Sequence, residues 1–547
     1  MNRFLSMGRE TKRRHMSIND NSLHHSIKIK RLSSCIHHTS NDNENNHQFD
    51  HFFIFGGDPQ GTSFERPMLL ANFPSANFEK SEDEVNRIMD FCFPNGFSEI
   101  TYIQDRKNKS ILQNEFVFYL MEDNAQRVYG IAVILYLDDP NIKMPFFCTQ
   151  NNVKYPFCLC FLTKTPFLSS HFQFCSYLAL VLDGEIESVH LKGLEQDVNI
   201  KNDGNVINSL VKDKNFGLIA VKEGLEAPKV LVDELIFFYG LPSKSISGFN
   251  HKIKLTNDIE LNLPLNLKES NALAYPTLHA LFSCLSPLVI VQLYNAILLE
   301  QHILIVSTNI HKLTLSVIAI TQIMTPFQSQ ALLFPVLPNN ETLSQLLETP
   351  FPYIIGSVKT SSTPEVVVNL DKGTIQLPNN FPMFPNYKHV VKKLENLLND
   401  SMKSILVPKK HQRNFLVIAT KKSNPEFKKF VDSIDIFVFP SLFTRNISIK
   451  YVFSPIIIED IINIFRTSFP PVLQDLIRSC FVTDNTDPNM PVTIMNKELM
   501  MSMISDDEQE FYSLFQPTQL FDYFCNSLTD QYSEDKLNES QSSFKLN

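Results

Sequence analysis

The chain has no tryptophan, only 15 glycines in 547 residues, and no closely spaced cysteine pair of the C-x2-C type. Each absence narrows the chemistry. Without paired cysteines or an H-E-x-x-H run, the usual signatures of a structural or catalytic zinc are missing, and no metal is expected. No G-x-S-x-G elbow and no dinucleotide-type glycine fingerprint occur, and no cofactor is expected. The one glycine-rich stretch, Gly56-Gly57-Asp58-Pro59-Gln60-Gly61, has no Lys-Ser/Thr after it and reads as a loop, not a phosphate cradle. The nine cysteines, an odd number scattered from Cys35 to Cys525, suit a reducing compartment better than a disulfide framework. No long apolar run is free of polar breaks. Residues 296–323 are interrupted by Glu300, His302, His311 and Lys312, and read as buried helix–strand–helix, not as a membrane span. The opening MNRFLSMGRETKRR develops no apolar core of a secretory signal, Gly8 is misplaced for myristoylation, and the ending SFKLN offers no prenylation cysteine. Any membrane contact is therefore expected to be peripheral, through a partner or a basic tail.

What is present is ample for burial: 43% hydrophobic and 11% aromatic residues, in a length that suggests roughly three or four domains. The 45 phenylalanines and abundant asparagines read as coding bias and carry no functional signal. Net charge is −9, but residues 1–50 hold eight Lys/Arg against five Asp/Glu, so the body is more acidic than the total. An acidic body argues against broad nucleic-acid binding.

Residues 1–50, rich in Asn, His and Ser, are expected to be a disordered tail, in which Lys12-Arg13-Arg14 before Ser17 reads first as solvated chain with no specific role and second as a basophilic kinase site or weak lipid contact. A small α/β domain is expected over 51–185: a helical turn at 85–92, a turn at Phe93-Pro94-Asn95-Gly96, antiparallel strands at 115–120 and 127–137 joined at Asp123-Asn124, a strand at 157–162 and a helix beyond Phe167. Residues 186–270 carry short strand signals at 216–221 and 261–267 between polar loops, and read as a divergent linker or the start of the next module. In the core of 271–374, Ser286-Pro287 is a helix start. Strands follow at 302–307, 331–334, 353–358 and 366–370, with helices at 313–324 and 342–347. Unbroken Leu/Ile/Val strands with helices between them predict a mostly parallel sheet covered on both faces. A connector with a helix at 390–398 spans 375–410. A mostly helical part spans 411–530, with helices at 455–465, 472–480 and 506–514 and a restart capped by Thr518, which points Leu520, Phe521 and Phe524 inward. A disordered tail is expected over 531–547.

Few residues suggest chemistry. Asp371-Lys372-Gly373-Thr374 is shaped like a hairpin turn. Cys158 and Cys160 alternate on one strand, where they and Cys148 and Cys175 read as buried thiols before they read as metal ligands. The pairs His24/His25 and His37/His38 lie in the polar tail. Glu300, at the end of a helix and just before a buried strand, must be paired or hydrogen-bonded unless it reaches water, and reads either as a helix-end residue with water access or as a cap on local backbone N–H groups.

In order along the chain, these segments resemble the tripartite DENN family. The cues in the first part are residues 91–96 (FCFPNG), 116–120, Arg127-Val-Tyr129-Gly130, 155–160 (YPFCLC) and Thr165-Pro166-Phe167. The central cues are residues 298–307 with Glu300 and Ser307, Pro335-Val-Leu-Pro338, residues 349–356 with Pro350, Pro352 and Gly356, and Val368-Asn-Leu-Asp371. The downstream cue is residues 515–521, with Thr518, Gln519 and Phe521. The resemblance implies a two-lobed α/β fold: a longin-like upstream module, then a second α/β lobe with a mostly parallel sheet and a helical C-terminal part. It also implies a Rab-family small GTPase partner, GDP-bound or nucleotide-free, exchange without covalent catalysis, and a cytoplasmic protein recruited to endomembranes. The alternative it leaves open is an adaptor or complex subunit of the same fold without exchange activity. Asp123, Asn124, Arg127, Thr308 and Asn309 are the candidate GTPase interface. A GTPase-activating arginine finger at Arg127 is the poorer reading, because its place just before Tyr129-Gly130 favours a structural role.

Overall fold

The computed structural model describes residues 47–57, 66–74, 80–97, 114–121, 127–135, 149–150, 153–154, 157–164, 166–182, 220–221, 229–239, 251–254, 260–263, 269–338, 345–358, 364–404, 455–484 and 492–544. Asp123, Asn124, Ser17, Cys148, both His pairs, and most of the expected N-terminal tail lie outside them. From His47 onward the chain forms one compact unit.

The first lobe is a six-stranded antiparallel sheet in the order β3-β4-β7-β1-β2-β8. Its strands are β1 (His51–Gly56), β2 (Met68–Phe73), β3 (Asn114–Met121), β4 (Arg127–Leu135), β7 (Phe157–Thr163) and β8 (Ala220–Val221), with a small hairpin of β5 (Thr149–Gln150) and β6 (Val153–Lys154) before β7. Helix α1 (Glu82–Cys92) begins with a capping box: Ser81 Oγ accepts the Glu84 N–H at 3.3 Å, and the Glu84 carboxylate accepts the Ser81 N–H at 2.8 Å. Helix α2 (Leu168–Leu182) follows β7. Strand alternation divides the sheet's side chains between two cores. Phe53, Phe55, Phe116, Phe118, Cys158 and Cys160 point to the α1 side, while Phe52, Ile54, Val117, Tyr119, Leu159 and Phe161 point to the α2 side. Because both faces are buried, β1 and β2 show no polar–apolar alternation, and the sequence reading has no strand there.

Helix α3 (Lys229–Tyr239) lies where the sequence predicts polar loops. It packs Leu231, Leu235 and Phe238 into the α2-side core and satisfies its buried Glu234 with the Tyr177 hydroxyl at 2.9 Å. A hairpin of β9 (His251–Lys254) and β10 (Glu260–Leu263) precedes helices α4 (Glu269–Cys284) and α5 (Pro287–Leu298).

The second sheet runs β12-β13-β11-β14-β15. Strand β11 (Ile303–Val306) pairs in parallel with β13 (Tyr353–Ser357) and β14 (Val366–Asn369), and β12 (Leu332–Phe334) pairs in parallel with β13. Strand β15 (Thr374–Gln376) turns back antiparallel through Gly373 at φ +67°, so the sheet is mixed and the expected hairpin turn at Asp371–Thr374 is present. Helix α6 (Ile310–Ile323) follows β11. Of the expected helix at 342–347, the structure places a 3-10 turn at Gln345–Glu348.

Helix α7 (Tyr387–Ser404) leads to the helical end: α8 (Pro455–Ser479), the hairpin β16 (Phe481–Asp484) and β17 (Val492–Met495), then α9 (Lys497–Met503), α10 (Gln509–Phe515) and α11 (Gln519–Phe544). Two expectations change here. Pro455–Ser479 form one helix, not two, despite Pro470 and Pro471. The buried series Ile458, Ile461, Phe465, Phe469, Leu473 and Ile477 continues through the prolines, and the carbonyls they leave unpaired belong to exposed Arg466 and Thr467, where water can serve them. The expected tail from 531 is helix to Phe544, since no Gly or Pro interrupts the chain after Pro517.

Candidate functional site

The two lobes meet where β3, the outer strand of the first sheet, runs against α6. An open strand edge is a template for unwanted pairing, and here a helix occupies it. His311 Nδ1 lies 2.9 Å from the Glu115 carbonyl, and the Val117 N–H donates to Thr314 Oγ1 at 3.3 Å. Phe172 of α2 packs edge-on against His311, and Phe91 of α1 stacks between Phe118 and Phe334. Leu315 and Ile318 of α6 belong to the α2-side core, so the seam is a continuous packed interior.

The two hydrogen bonds advance in the same sense along strand and helix. The loop before α6 therefore sits at the Glu115 end of β3, while Met121 and Arg127 sit six residues further on, about 20 Å away at strand rise. Asp123 and Asn124 are outside the described residues. The structure does not bring Arg127 together with Thr308 and Asn309; they mark opposite ends of the seam.

At one end, Arg127 pairs with Met121 across β3–β4 and holds its guanidinium 5.7 Å from the Tyr119 ring centroid. Tyr119 in turn meets Tyr129 edge-on at 5.0 Å. Met121 is 57% exposed, the most open large apolar side chain described on this lobe. Gly130 faces Phe118, whose ring would lie 2.1 Å from any added Cβ, so the Tyr129-Gly130 pair is explained by strand packing.

At the other end, Ser307, Thr308 and Asn309 follow β11, and Asp371 follows β14. Ser307 Oγ donates to Asp371 Oδ1 at 2.7 Å, and the Thr308 N–H and hydroxyl donate to Oδ2 at 2.8 and 2.9 Å. Asn309 Oδ1 accepts the Lys312 N–H at 3.1 Å and caps α6. Burial pushes the Asp371 carboxyl up, but the Thr308 amide, the two hydroxyls and nearby Lys312 outweigh it and hold it below its ordinary value. The chain leaves β11 toward β12 and leaves β14 toward β15, in opposite directions. At the carboxyl ends of these neighbouring strands the side-chain network ties the loop after β11 to the turn after β14. Thr308 stays exposed on its rim.

The remaining family-motif residues lie away from both ends of the seam or pack within the lobes. An added Cβ on Gly356 would lie 2.1 Å from the Pro335 carbonyl oxygen, and the Pro352 carbonyl accepts the Leu332 N–H at 2.9 Å. Pro338 and Phe167 are buried, and the Phe167 carbonyl accepts the His171 N–H; Pro166 is buried beside it, and Pro350 is exposed. Glu300 is not a local cap. Its backbone is left-handed, φ +48°, and its carboxylate accepts the Gln519 and Leu520 N–H groups at 3.0 and 2.8 Å, 219 and 220 residues away. Thr518 Oγ1 accepts the Phe521 N–H at 3.1 Å, so the first three amides of α11 are all satisfied. Cys92, Cys158 and Cys160 are buried together, and burial followed by mutual thiol hydrogen bonding pushes the Cys92 thiol up. Among the described residues, no group of three or more His, Cys, Asp or Glu is arranged to hold a metal.

A uDENN domain matches residues 67–135, and a DENN (AEX-3) domain matches residues 228–373. The chain carries both DENN-family domains. The uDENN match runs from β2 through β4, and the DENN match from α3 to the Gly373 turn. The seam between β3 and α6 therefore joins the two domains, although α3 of the DENN match packs into the core of the first lobe. Similar proteins include human DENN domain-containing protein 1B, 24% identical over 349 residues (61% of this chain, 37% of that protein), and a Caenorhabditis elegans MAP kinase-activating death domain protein, 23% identical over 408 residues (69% and 27%). The elicitor of plant defense protein 1 of Fusarium odoratissimum is 35% identical over 104 residues, 18% of this chain and 11% of its own length. The chain thus spans well under half the length of these relatives.

Proposed function

We propose that this DENN-domain protein regulates a Rab-family GTPase as a guanine nucleotide exchange factor, engaging the GTPase switch regions and promoting GDP release. The observation that carries this reading is the pairing of a uDENN and a DENN domain in one unit, locked at the β3–α6 seam. Exchange needs no covalent step. A rigid surface that binds the nucleotide-free GTPase more tightly than the GDP-bound form lowers the barrier to GDP loss, and GTP rebinding then releases the exchange factor. The first lobe is taken as the longin-like module, the helical end as the downstream module, and the protein as cytoplasmic and recruited to endomembranes.

The Met121–Arg127 end of the seam offers an exposed apolar side chain beside a guanidinium, the composition that anchors protein interfaces. Release of fluorescent GDP from a panel of Rabs, at catalytic amounts of the chain, tests the reading. Acceleration for one or a few Rabs is expected. Combining Met121→Asp with Arg127→Ala is expected to lower exchange efficiency at least about tenfold with unchanged thermal stability. Binding without acceleration of any Rab would instead favour the adaptor of the same fold. A rise in GTP hydrolysis that Arg127→Ala abolishes would favour the arginine-finger reading.

A further inference from the structure

Helix α7 and the loop before it carry a surface that the exchange reading leaves unused. The loop is fixed from below: the side chain of buried Asn295 donates to the Pro382 carbonyl at 2.9 Å and accepts the Phe384 N–H at 2.8 Å. Asn380 and Asn386 take left-handed backbone, φ +55° and +62°, and hold its two bends. Phe384 is buried by this anchoring, and Phe381, Met383 and Tyr387, half-buried, pack against the same core. On α7, Val390, Leu394 and Leu398 recur at four-residue spacing and face the core.

The opposite face of the helix is basic. Lys388 and Lys392 lie one turn apart at its centre, with His389 exposed beside them, Lys393 at its margin and, among the described residues, a single exposed carboxylate, Glu395, three residues after Lys392. Lys388 Nζ lies 5.9 Å from the Tyr387 ring centroid, and among the described residues none of these lysines is held in a salt bridge. Residues 372–404 hold five lysines against two carboxylates, in a chain whose total is 49 basic against 58 acidic residues. The sequence that follows, 405–454, stays basic, with nine Lys/Arg against three Asp/Glu.

We infer that the 381–392 element is a peripheral contact for an anionic lipid bilayer. The apolar face of α7 is committed to the protein core, so the contact is electrostatic: exposed ammonium groups on a rigidly held element meet lipid phosphate or carboxylate without insertion of the helix. A net-negative body would be repelled by such a surface, so the contact is confined to the basic face and orients the molecule. The inference stands apart from the exchange reading, because it concerns where the chain docks and not what it does to a GTPase.

The test uses the full chain and its Lys388→Glu/Lys392→Glu variant, sedimented with vesicles of phosphatidylcholine alone or with added phosphatidylserine. The full chain is expected to bind the anionic vesicles only, with binding that falls as salt rises. The double reversal is expected to weaken it at least about tenfold, while Arg478→Glu, at an exposed position of α8, leaves it unchanged. GDP release in solution, measured on the same variants, is expected to be unaffected, so failure of one reading is not failure of the other. Equal binding to neutral vesicles overturns the proposal. So does unchanged binding by the double variant, which would assign the contact to another basic segment such as 1–50. Preference for a soluble acidic peptide over anionic vesicles overturns it as well.

Discussion

Glu300 keeps a left-handed backbone while its carboxylate takes up two amide hydrogens of a helix from the downstream part of the chain. A charged acceptor at a helix N-terminus is favoured by both the free N–H groups and the helix dipole. Glu300→Ala is therefore expected to cost about 2 kcal/mol in urea unfolding, and Glu300→Gln, which keeps an oxygen but loses the charge, about half of that. Glu300→Gly loses the carboxylate but relieves the backbone, and should fall between wild type and Ala; a Gly variant less stable than Ala would show that φ is unstrained. The sequence showed that a carboxylate beside a buried strand needs partners. It could not show that they lie 219 residues away, because nothing local distinguishes a near amide from a distant one. The two motif glycines differ in a similar way. Gly356→Ala sets a Cβ against a backbone oxygen and Gly130→Ala against a phenylalanine ring, so Gly356→Ala is expected to be the more damaging by urea midpoint.

Among the elements, α6 does the most joining. Its N-terminus is fixed by Asn309 and the Asp371 network, its middle closes the β3 edge, and its apolar side chains enter both cores. Thr314→Val keeps the shape and removes the acceptor for the Val117 N–H. It should cost about 1–3 kcal/mol and speed hydrogen exchange at the Val117 amide, and protection equal to wild type would mean that the seam does not depend on this bond. Strand β11 and helix α6 were legible because their apolar runs are long and bounded by Ser, Asn and Pro. Strands β1 and β2 and helix α3 were not. In a strand buried on both faces, or a helix buried around most of its girth, periodicity disappears, and Phe-rich segments then look alike. The proline pair in α8 misled for the opposite reason: a local breaker was overruled by packing on either side of it.

For the molecule as a whole, acid is expected to loosen the first lobe before it reaches the carboxylates. Burial, with Lys80 adding to it, lowers His51 to about 4, and burial lowers His171 and His47. Between the ordinary histidine value of 6.5 and these lowered values, the unfolded chain holds protons that the folded chain does not, so acid favours unfolding. Stability should be full above about pH 6.5 and fall through the window down to about pH 4, with His51 alone worth about 3 kcal/mol across it. Asp371, held below its ordinary value of 3.8, contributes stability that is kept above that value and lost only at still lower pH. Urea midpoints that stay level from about pH 7 to about pH 4.5 would contradict this. By itself, the sequence determined the α/β class, the mostly parallel second sheet and the β3–β4 hairpin, because these follow from local runs of apolar residues and from turn chemistry; the family likeness rested instead on the ordered set of motif residues that carries the resemblance. Only the tertiary structure decided that the two lobes share a core across α6, that Glu300 reaches the downstream helix, and that Arg127 and Thr308 stand at opposite ends of the seam. Those facts depend on contacts between residues far apart in the chain, which no local pattern encodes.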